Sequence, residues 1–127
     1  MNRDPSFGCR HCWPESAEEA WEARSGLKET ARPADESHYA VRVLKCRQCG
    51  QQFVSVFTEM IDWADGDDPQ YWRMLPITAE EAAGLAGAIG TDTVIGGGRR
   101  SLRRDCPKDG PERTYWSTAC DLNPPHD

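Results

Sequence analysis

Residues 46–50 read Cys46-Arg47-Gln48-Cys49-Gly50, two cysteines three positions apart with a glycine directly after them. Such a segment can form a tight turn whose backbone N–H groups point at the sulfur atoms, and glycine suits the conformation that closes it. Strand-forming residues lie on both sides, in residues 39–44 and 51–63. The pattern predicts a β-hairpin with the two cysteines at its turn.

A second pair with the same spacing, Cys9 and Cys12, lies near the N-terminus. Two such pairs supply four thiolates, which is the ligand set of a closed tetrahedral zinc site. We therefore expect one structural Zn²⁺, held by Cys9, Cys12, Cys46 and Cys49. Residues 13–45 separate the pairs, more than in compact zinc modules, and a predicted helix and loop account for the excess.

Two alternatives to zinc arise from the same residues. The Cys49-Gly50 dipeptide is similar to an iron-binding rubredoxin knuckle, but Trp13 stands where the first pair would need a glycine. Two unrelated redox or buried cysteine pairs are the other alternative. We favour zinc, because four thiolates close its coordination sphere and leave no position for water or substrate.

The composition fits a single domain, residues 1–127, whose small core needs a metal for stability. Hydrophobic residues make up 38% of the chain, mean hydropathy is −0.73 and the net charge is −6. This charge argues against general nucleic-acid binding, although a local basic patch could override it. We find no secretory leader and no apolar stretch long enough to span a membrane, so we expect a cytoplasmic protein with reduced thiols.

The predicted fold class is α+β. A zinc-ribbon-like antiparallel hairpin is extended to a small three-stranded sheet, with two short helices. In chain order we expect the first metal knuckle in residues 1–14, a helix from Ala17 to about Ser25 and a surface loop in residues 26–37. A sheet with the second knuckle follows in residues 38–77 and ends in an edge strand, and a second helix covers residues 78–89. The last region, residues 99–127, is predicted to be basic and irregular, with a short strand at residues 113–117. Capping-box patterns at Ser16 and Thr78 mark the two helix starts.

An acidic segment beside aromatic residues is the candidate surface for a protein partner. It comprises Trp63, Asp65, Asp67, Asp68, Tyr71 and Trp72. Aromatic side chains beside carboxylates suit contact with a basic protein, and a solvated loop is the simpler alternative. By analogy of charge and size, the partner-binding hypothesis includes an inhibitor or an immunity-type protein that binds a basic toxin.

A nucleic-acid-binding or transcription-associated zinc ribbon is the alternative function. It depends on four closely spaced arginines that could pair with phosphates, namely Arg99, Arg100, Arg103 and Arg104. An exposed charged turn, or an intramolecular partner for the acidic segment, is an equally good interpretation of this cluster.

An enzymatic function has the least support from the sequence. The chain has three histidines and none of the common nucleophile, zinc-protease or dinucleotide motifs. Cys106 and Cys120 are left over, and buried thiols are a simpler interpretation than a second metal site with His126. A deep pocket lined by His38 and carboxylates would favour an enzyme.

The two cysteine pairs, Gly50 and the aliphatic strands around it resemble the zinc-ribbon fold group over residues 9–12 and 38–62. More loosely, residues 61–78 and the arginine-rich tail are similar to small uncharacterised bacterial zinc-ribbon-containing proteins. The resemblance implies a structural zinc and a hairpin fold. It implies no activity, because that family has none established.

Overall fold

The structure is a computed structural model that describes residues 7–36, 38–59, 69–87, 99–107 and 111–118. Its centre is a six-stranded antiparallel sheet in which each strand lies beside its neighbours in the chain. The fold is therefore α+β, as predicted. The elements are α1 (Ala17–Ala23), a 3₁₀ turn (Arg24–Gly26), β1 (Lys28–Glu36), β2 (Tyr39–Lys45), β3 (Gln52–Glu59), β4 (Gln70–Ile77), α2 (Ala79–Gly87), β5 (Ser101–Cys106) and β6 (Arg113–Ser117).

Both helices begin where the capping patterns place them. The N–H of Glu19 donates to the Ser16 hydroxyl at 3.3 Å, which caps α1. At α2 the two bonds of a capping box are present, because Glu81 N donates to Thr78 Oγ1 and Thr78 N donates to Glu81 Oε1. Within the described ranges, no helix is long and apolar enough to cross a membrane.

The prediction of a surface loop in residues 26–37 is wrong, because most of this segment is β1. The strand pairs antiparallel with β2, with two register shifts along its length. It lies at the sheet edge, and charged side chains such as Glu29, Arg32 and Asp35 are exposed. A polar edge strand with irregular pairing lacks the apolar alternation that identifies a strand in sequence.

The prediction of three strands with β4 at the edge is also wrong. β5 pairs with β4 over Gln70 to Met74, and β6 pairs with β5. Pro76 is compatible with this interior position, because it lies beyond the last β4–β5 pair and no β5 partner requires its missing N–H. The short strand at residues 113–117 is confirmed, but the region from residue 99 is more regular than predicted, because it also contains β5.

Each face of the sheet carries its own apolar cluster, because successive strand residues point to opposite sides. On the side that we call the α2 face, Ala82 of the helix packs on a cluster that comprises Val41, Val43, Val54, Val56, Leu75 and Ile77. On the opposite side, the α1 face, helix α1 and the first cysteine pair cover a cluster that comprises Leu44, Phe53, Met74 and Leu102, with Trp13, Ala20, Cys12 and Cys46. The predicted metal ligands thus belong to the core of the α1 face.

Candidate metal centre

The four cysteines predicted as ligands come together in space. Their sulfur atoms all lie within 4.8 Å of one another. The Cys9–Cys12 distance is 3.8 Å, the Cys9–Cys46 distance is 3.9 Å and the Cys12–Cys49 distance is 3.7 Å. Ligands about 2.3 Å from a tetrahedral zinc ion have sulfur–sulfur distances of about 3.8 Å. The donor set therefore has the size and chemistry of a four-thiolate metal site.

Backbone N–H groups shape the second knuckle around its sulfur atoms. Gln48 N and Cys49 N donate to Cys46 Sγ at 3.3 and 3.5 Å, and Gln51 N donates to Cys49 Sγ at 3.4 Å. Gly50 has a φ of 83°, a conformation that glycine adopts without strain, and its N–H donates to the Cys46 carbonyl. This is the turn that the sequence predicts.

The first knuckle depends on a glycine in front of the cysteines. The turn is closed by a bond of 2.8 Å from Trp13 N to the Cys9 carbonyl, and Cys9 N donates to Cys12 Sγ at 3.2 Å. Gly8 has a φ of 77°, and a Cβ there would lie 2.7 Å from Trp13 Cβ. Gly8 is not among the residues that the sequence analysis predicts for the site, and its position directly before Cys9 is the sequence signal for it.

Gln51, also missed from sequence, connects the two knuckles. Its side-chain Oε1 accepts from Gly8 N at 3.0 Å, and its Nε2 donates to the carbonyls of Gln52 and Ile77, both at 2.8 Å. Its position directly after Gly50 was the only signal in the sequence. Because its amide satisfies groups from three segments, it fixes the first knuckle against β3 and β4.

Aromatic packing adds to this connection. The Trp13 ring lies 4.9 Å from that of Phe53 and 4.8 Å from that of Trp116. Cys12 and Cys46 are buried, whereas Cys49 is exposed. One side of the site therefore faces the core and the other faces solvent.

The surroundings of Cys12 and Cys46 shift the pKa values of their thiols in opposite directions. Burial raises the pKa of Cys12 well above its ordinary value. Burial also raises the pKa of Cys46, but N–H bonds from Cys49 and Gln48 outweigh it and bring the value to about 7. N–H groups that point at sulfur favour the thiolate, which is the form that binds a metal.

An open groove of about 410 Å³ lies beside the knuckles, and its lining includes Phe7, Cys49, Gly50, Ile77 and Ala79. His38 is not among its lining residues. That histidine is 45% exposed, and its Nδ1 lies 2.8 Å from Glu59 Oε1. In the part of the chain that the structure describes, the groove therefore lacks the histidine and carboxylates that would favour an enzyme.

The arginine cluster predicted for nucleic acid makes contacts within the molecule. The side chain of Arg99, 9% exposed, binds both carboxylate oxygens of Glu81. Arg100 donates to the carbonyls of Trp13 and Pro14 at 2.9 and 2.7 Å. These two guanidinium groups fix α2 and the first knuckle to the start of β5.

The other two arginines of this cluster lie on opposite faces of β5. Arg103 is buried on the α2 face and donates to the Ser101 hydroxyl at 3.0 Å. Arg104 binds Thr114 Oγ1 at 2.6 Å and also the carboxylate of Glu112. The four arginines therefore do not form one exposed phosphate-binding strip.

Of the six residues of the candidate partner surface, the structure describes only Tyr71 and Trp72. Trp63, Asp65, Asp67 and Asp68 lie outside the described residues, as do Cys120 and His126. Tyr71 and Trp72 are consecutive in β4 and so belong to opposite faces of the sheet. On the α1 face, the Trp72 ring lies 5.4 Å from Trp21 and 5.0 Å from Phe57.

Comparisons of the chain with protein-family models, with curated protein sequences and with solved structures find no match. A functional assignment therefore depends on the geometry of the chain's own residues. The firmest element of that geometry is the four-cysteine site, and the second is the aromatic cluster around Trp72.

Proposed function

We propose that Cys9, Cys12, Cys46 and Cys49 hold one structural Zn²⁺ in a zinc-ribbon-like site. The observation that carries this proposal is the sulfur–sulfur geometry: three of the distances are 3.7–3.9 Å, close to the edge of a zinc tetrahedron, and all lie within 4.8 Å. Burial of Cys12 and Cys46 in the core supports a role in stability. When bound, the ion cross-links the N-terminal segment to the β2–β3 turn.

On this scaffold, the chain acts as a non-enzymatic protein-binding module. Four thiolates fill the coordination sphere of zinc, which leaves no position for a substrate. Support for a binding surface comes from Trp72, which contacts both Trp21 and Phe57; all three side chains are only partly buried. Tryptophans in such positions are typical of interface centres.

The charge of the partner is a separate question. A basic partner, such as a toxin held by an inhibitor, depends on Asp65, Asp67 and Asp68, so it stays a prediction. The nucleic-acid alternative gains no support from the arginine contacts, since those guanidinium groups bind carboxylates, hydroxyls and carbonyls of the chain itself.

Metal analysis tests the first part of the proposal. We expect one zinc per chain, and loss of the folded state on chelation, because about 10 kcal/mol or more of metal-binding free energy is also folding free energy. Cys46→Ser should unfold the domain, whereas Cys106→Ser, a cysteine outside the cluster, should not. An iron spectrum, or intact folding without metal, would refute the zinc assignment.

Affinity capture at low salt with the zinc-loaded protein tests the second part. We expect a captured protein to be lost with Trp72→Ala and kept with Tyr71→Ala, which changes the opposite face of β4. For a basic partner, Asp67→Lys combined with Asp68→Lys should also abolish capture. Equal capture by all variants would show that the binding surface lies elsewhere, and no capture would refute the binding function.

A further inference from the structure

Two arginines lie close to one buried hydroxyl on the α1 face, and one of them binds it. Arg42 of β2 lies opposite Ser55 of β3 in the sheet register. Arg24, in the turn after α1, donates from Nη2 to Ser55 Oγ at 3.1 Å. Ser55 is only 2% exposed. Ser55 therefore lies at the buried end of a small basic site, formed by Arg24 of the turn after α1 and Arg42 of the sheet.

Among the described residues, carboxylates balance only part of the positive charge of this site. Among the described residues, no carboxylate pairs with Arg24. Glu29 Oε1 lies 3.6 Å from Arg42 Nε and also binds Arg32 through two bonds of 2.9 and 3.0 Å, and Arg32 in turn pairs with Asp35. Two carboxylates thus serve Arg32 and Arg42, and Arg24 is the cation that is left over. Burial, and then repulsion from Arg42, lower the pKa of Arg24, so an anion bound beside it would favour its charged form.

An aromatic wall adjoins the two arginines. The Arg24 guanidinium lies 5.0 Å from the centre of the Trp21 ring, and Trp21 in turn contacts Trp72, which contacts Phe57. These rings are partly exposed. Arg104 lies 4.9 Å from the Trp21 ring, but Glu112 neutralises it. The patch thus combines one uncompensated cationic group with continuous aromatic surface.

We propose that the guanidinium groups of Arg24 and Arg42 bind a carboxylate of an acidic polypeptide, whose neighbouring apolar groups contact Trp21, Phe57 and Trp72, while the buried Ser55 hydroxyl holds Arg24 in place. This inference rests on the proposed protein-binding function and specifies the partner's chemistry at this face. Guanidinium groups bind carboxylates through paired, charge-assisted hydrogen bonds. Arginine beside aromatic rings is also typical of protein interfaces.

Charge favours a polypeptide over a nucleic acid. A nucleic-acid surface needs several cations along a strand, because each neutralised phosphate adds to affinity. Here a single cationic group lacks a carboxylate among the described residues, which is too little to neutralise a run of phosphates. One or two carboxylates are a better match for two arginines.

NMR titration of the arginine Nε–H signals in the zinc-loaded protein tests the site directly. The probe is a blocked pentapeptide, Glu-Glu-Leu-Glu-Glu, and its Gln-for-Glu counterpart is the control ligand. We expect the acidic peptide to shift the Arg24 and Arg42 signals and to change tryptophan fluorescence, and the neutral peptide to do neither. Absence of shifts at both arginines, or equal shifts with the neutral peptide, would overturn the proposal.

Variants give an independent measurement. Arg42→Gln, at a side chain 38% exposed, should weaken peptide binding about tenfold or more, as expected for a lost hydrogen bond between charged groups. Arg24→Lys is a second variant, which keeps the positive charge but removes the guanidinium group and its paired hydrogen bonds. It should also weaken peptide binding. Arg113→Gln removes the same charge from a side chain 64% exposed on β6 and should leave binding unchanged.

If Arg113→Gln weakened peptide binding as much as Arg42→Gln, the loss would reflect only the overall charge of the protein. That result would overturn the proposed site. Tighter binding of oligothymidylate than of the acidic peptide at the same two arginines would overturn the polypeptide assignment in favour of phosphate. If the peptide fails but Trp72→Ala still abolishes partner capture, the carboxylate inference alone is wrong and the binding function stands.

Discussion

The N–H of Gly8 donates a hydrogen bond of 3.0 Å to Oε1 of Gln51, across 43 positions of the chain. Through Nε2 the same amide donates to carbonyls of β3 and β4. The neutral side chain of Gln51 thus fixes the first cysteine pair to the sheet independently of a bound metal. This relationship makes the geometry of the metal centre sensitive to a residue that is not a ligand.

Replacing Gln51 with Ala should lower the free energy of unfolding of the zinc-loaded protein by about 1–3 kcal/mol, because it leaves partly buried N–H and carbonyl groups unpaired. Urea unfolding followed by circular dichroism measures this change. Gln48→Ala is the matched control, since Gln48 is exposed in the same turn. A loss as large for Gln48→Ala would mean that the side-chain bonds of Gln51 contribute nothing specific.

The two left-handed glycines should respond differently to alanine. Gly50→Ala meets only Lys45 Cε, at 4.0 Å, so it should cost about 1–2 kcal/mol from backbone strain alone. Gly8→Ala adds to this strain a Cβ 2.7 Å from Trp13 Cβ and 3.0 Å from Cys12 Sγ. It should therefore destabilise the protein more and weaken zinc affinity, measured by competition with a chelating dye. Equal effects at both positions would contradict the close packing at Gly8.

Asp105 should make stability depend on acid pH. Burial raises its pKa, but bonds from Arg73 and Tyr115 outweigh this and hold the pKa below its usual value. A depressed folded-state pKa stabilises the protein above the unfolded-state value, about pH 4, and the stabilisation is lost as the pH falls through the folded-state pKa. We expect Asp105→Asn to flatten this part of the curve of unfolding free energy against pH.

At pH 7, Asp105→Asn should cost about 3 kcal/mol or more, because it leaves the Arg73 side chain, 4% exposed, without its carboxylate. Asp35→Asn is the control, since that carboxylate is 58% exposed and pairs only at the surface. If Asp35→Asn flattened the acid limb as much as Asp105→Asn, the assignment to the buried pair would fail.

Glu81 should stabilise both the start of α2 and the start of β5. Its Oε1 accepts from Thr78 N at 2.9 Å and from Arg99 Nη1 at 2.6 Å. We expect Glu81→Gln to cost about 1–2 kcal/mol in thermal or urea unfolding, against little change for the exposed Glu80→Gln. A double-mutant cycle with Arg99→Gln should show coupling, and additive effects would mean that the ion pair is not energetically significant.

The parts of the fold that sequence predicts correctly depend on local signals. The turn at residues 46–50, the caps at Ser16 and Thr78 and the β2–β3 hairpin each have their determinants within a few residues. The four cysteines of the candidate metal site are also brought together as predicted. Short-range chemistry was sufficient for each of these predictions.

The parts that sequence missed depend on partners far along the chain. β5 carries Arg103 and Arg104, which resemble a solvated basic segment in sequence, and its pairing with β4 is what makes it an interior strand. β1 is polar because only one of its edges is paired. The basic site at Arg24 and Arg42 was missed because a turn and a strand contribute one arginine each.

The order of strands in the sheet also has a consequence for synthesis on the ribosome. Each strand pairs with the one made just before it, so the sheet can grow as the chain emerges. The two cysteine pairs, 37 positions apart, are both available once residues 46–49 are outside the exit tunnel, when β3 to β6 are still to come. Metal capture can therefore precede most of the sheet and provide a fixed end from which the later hairpins assemble.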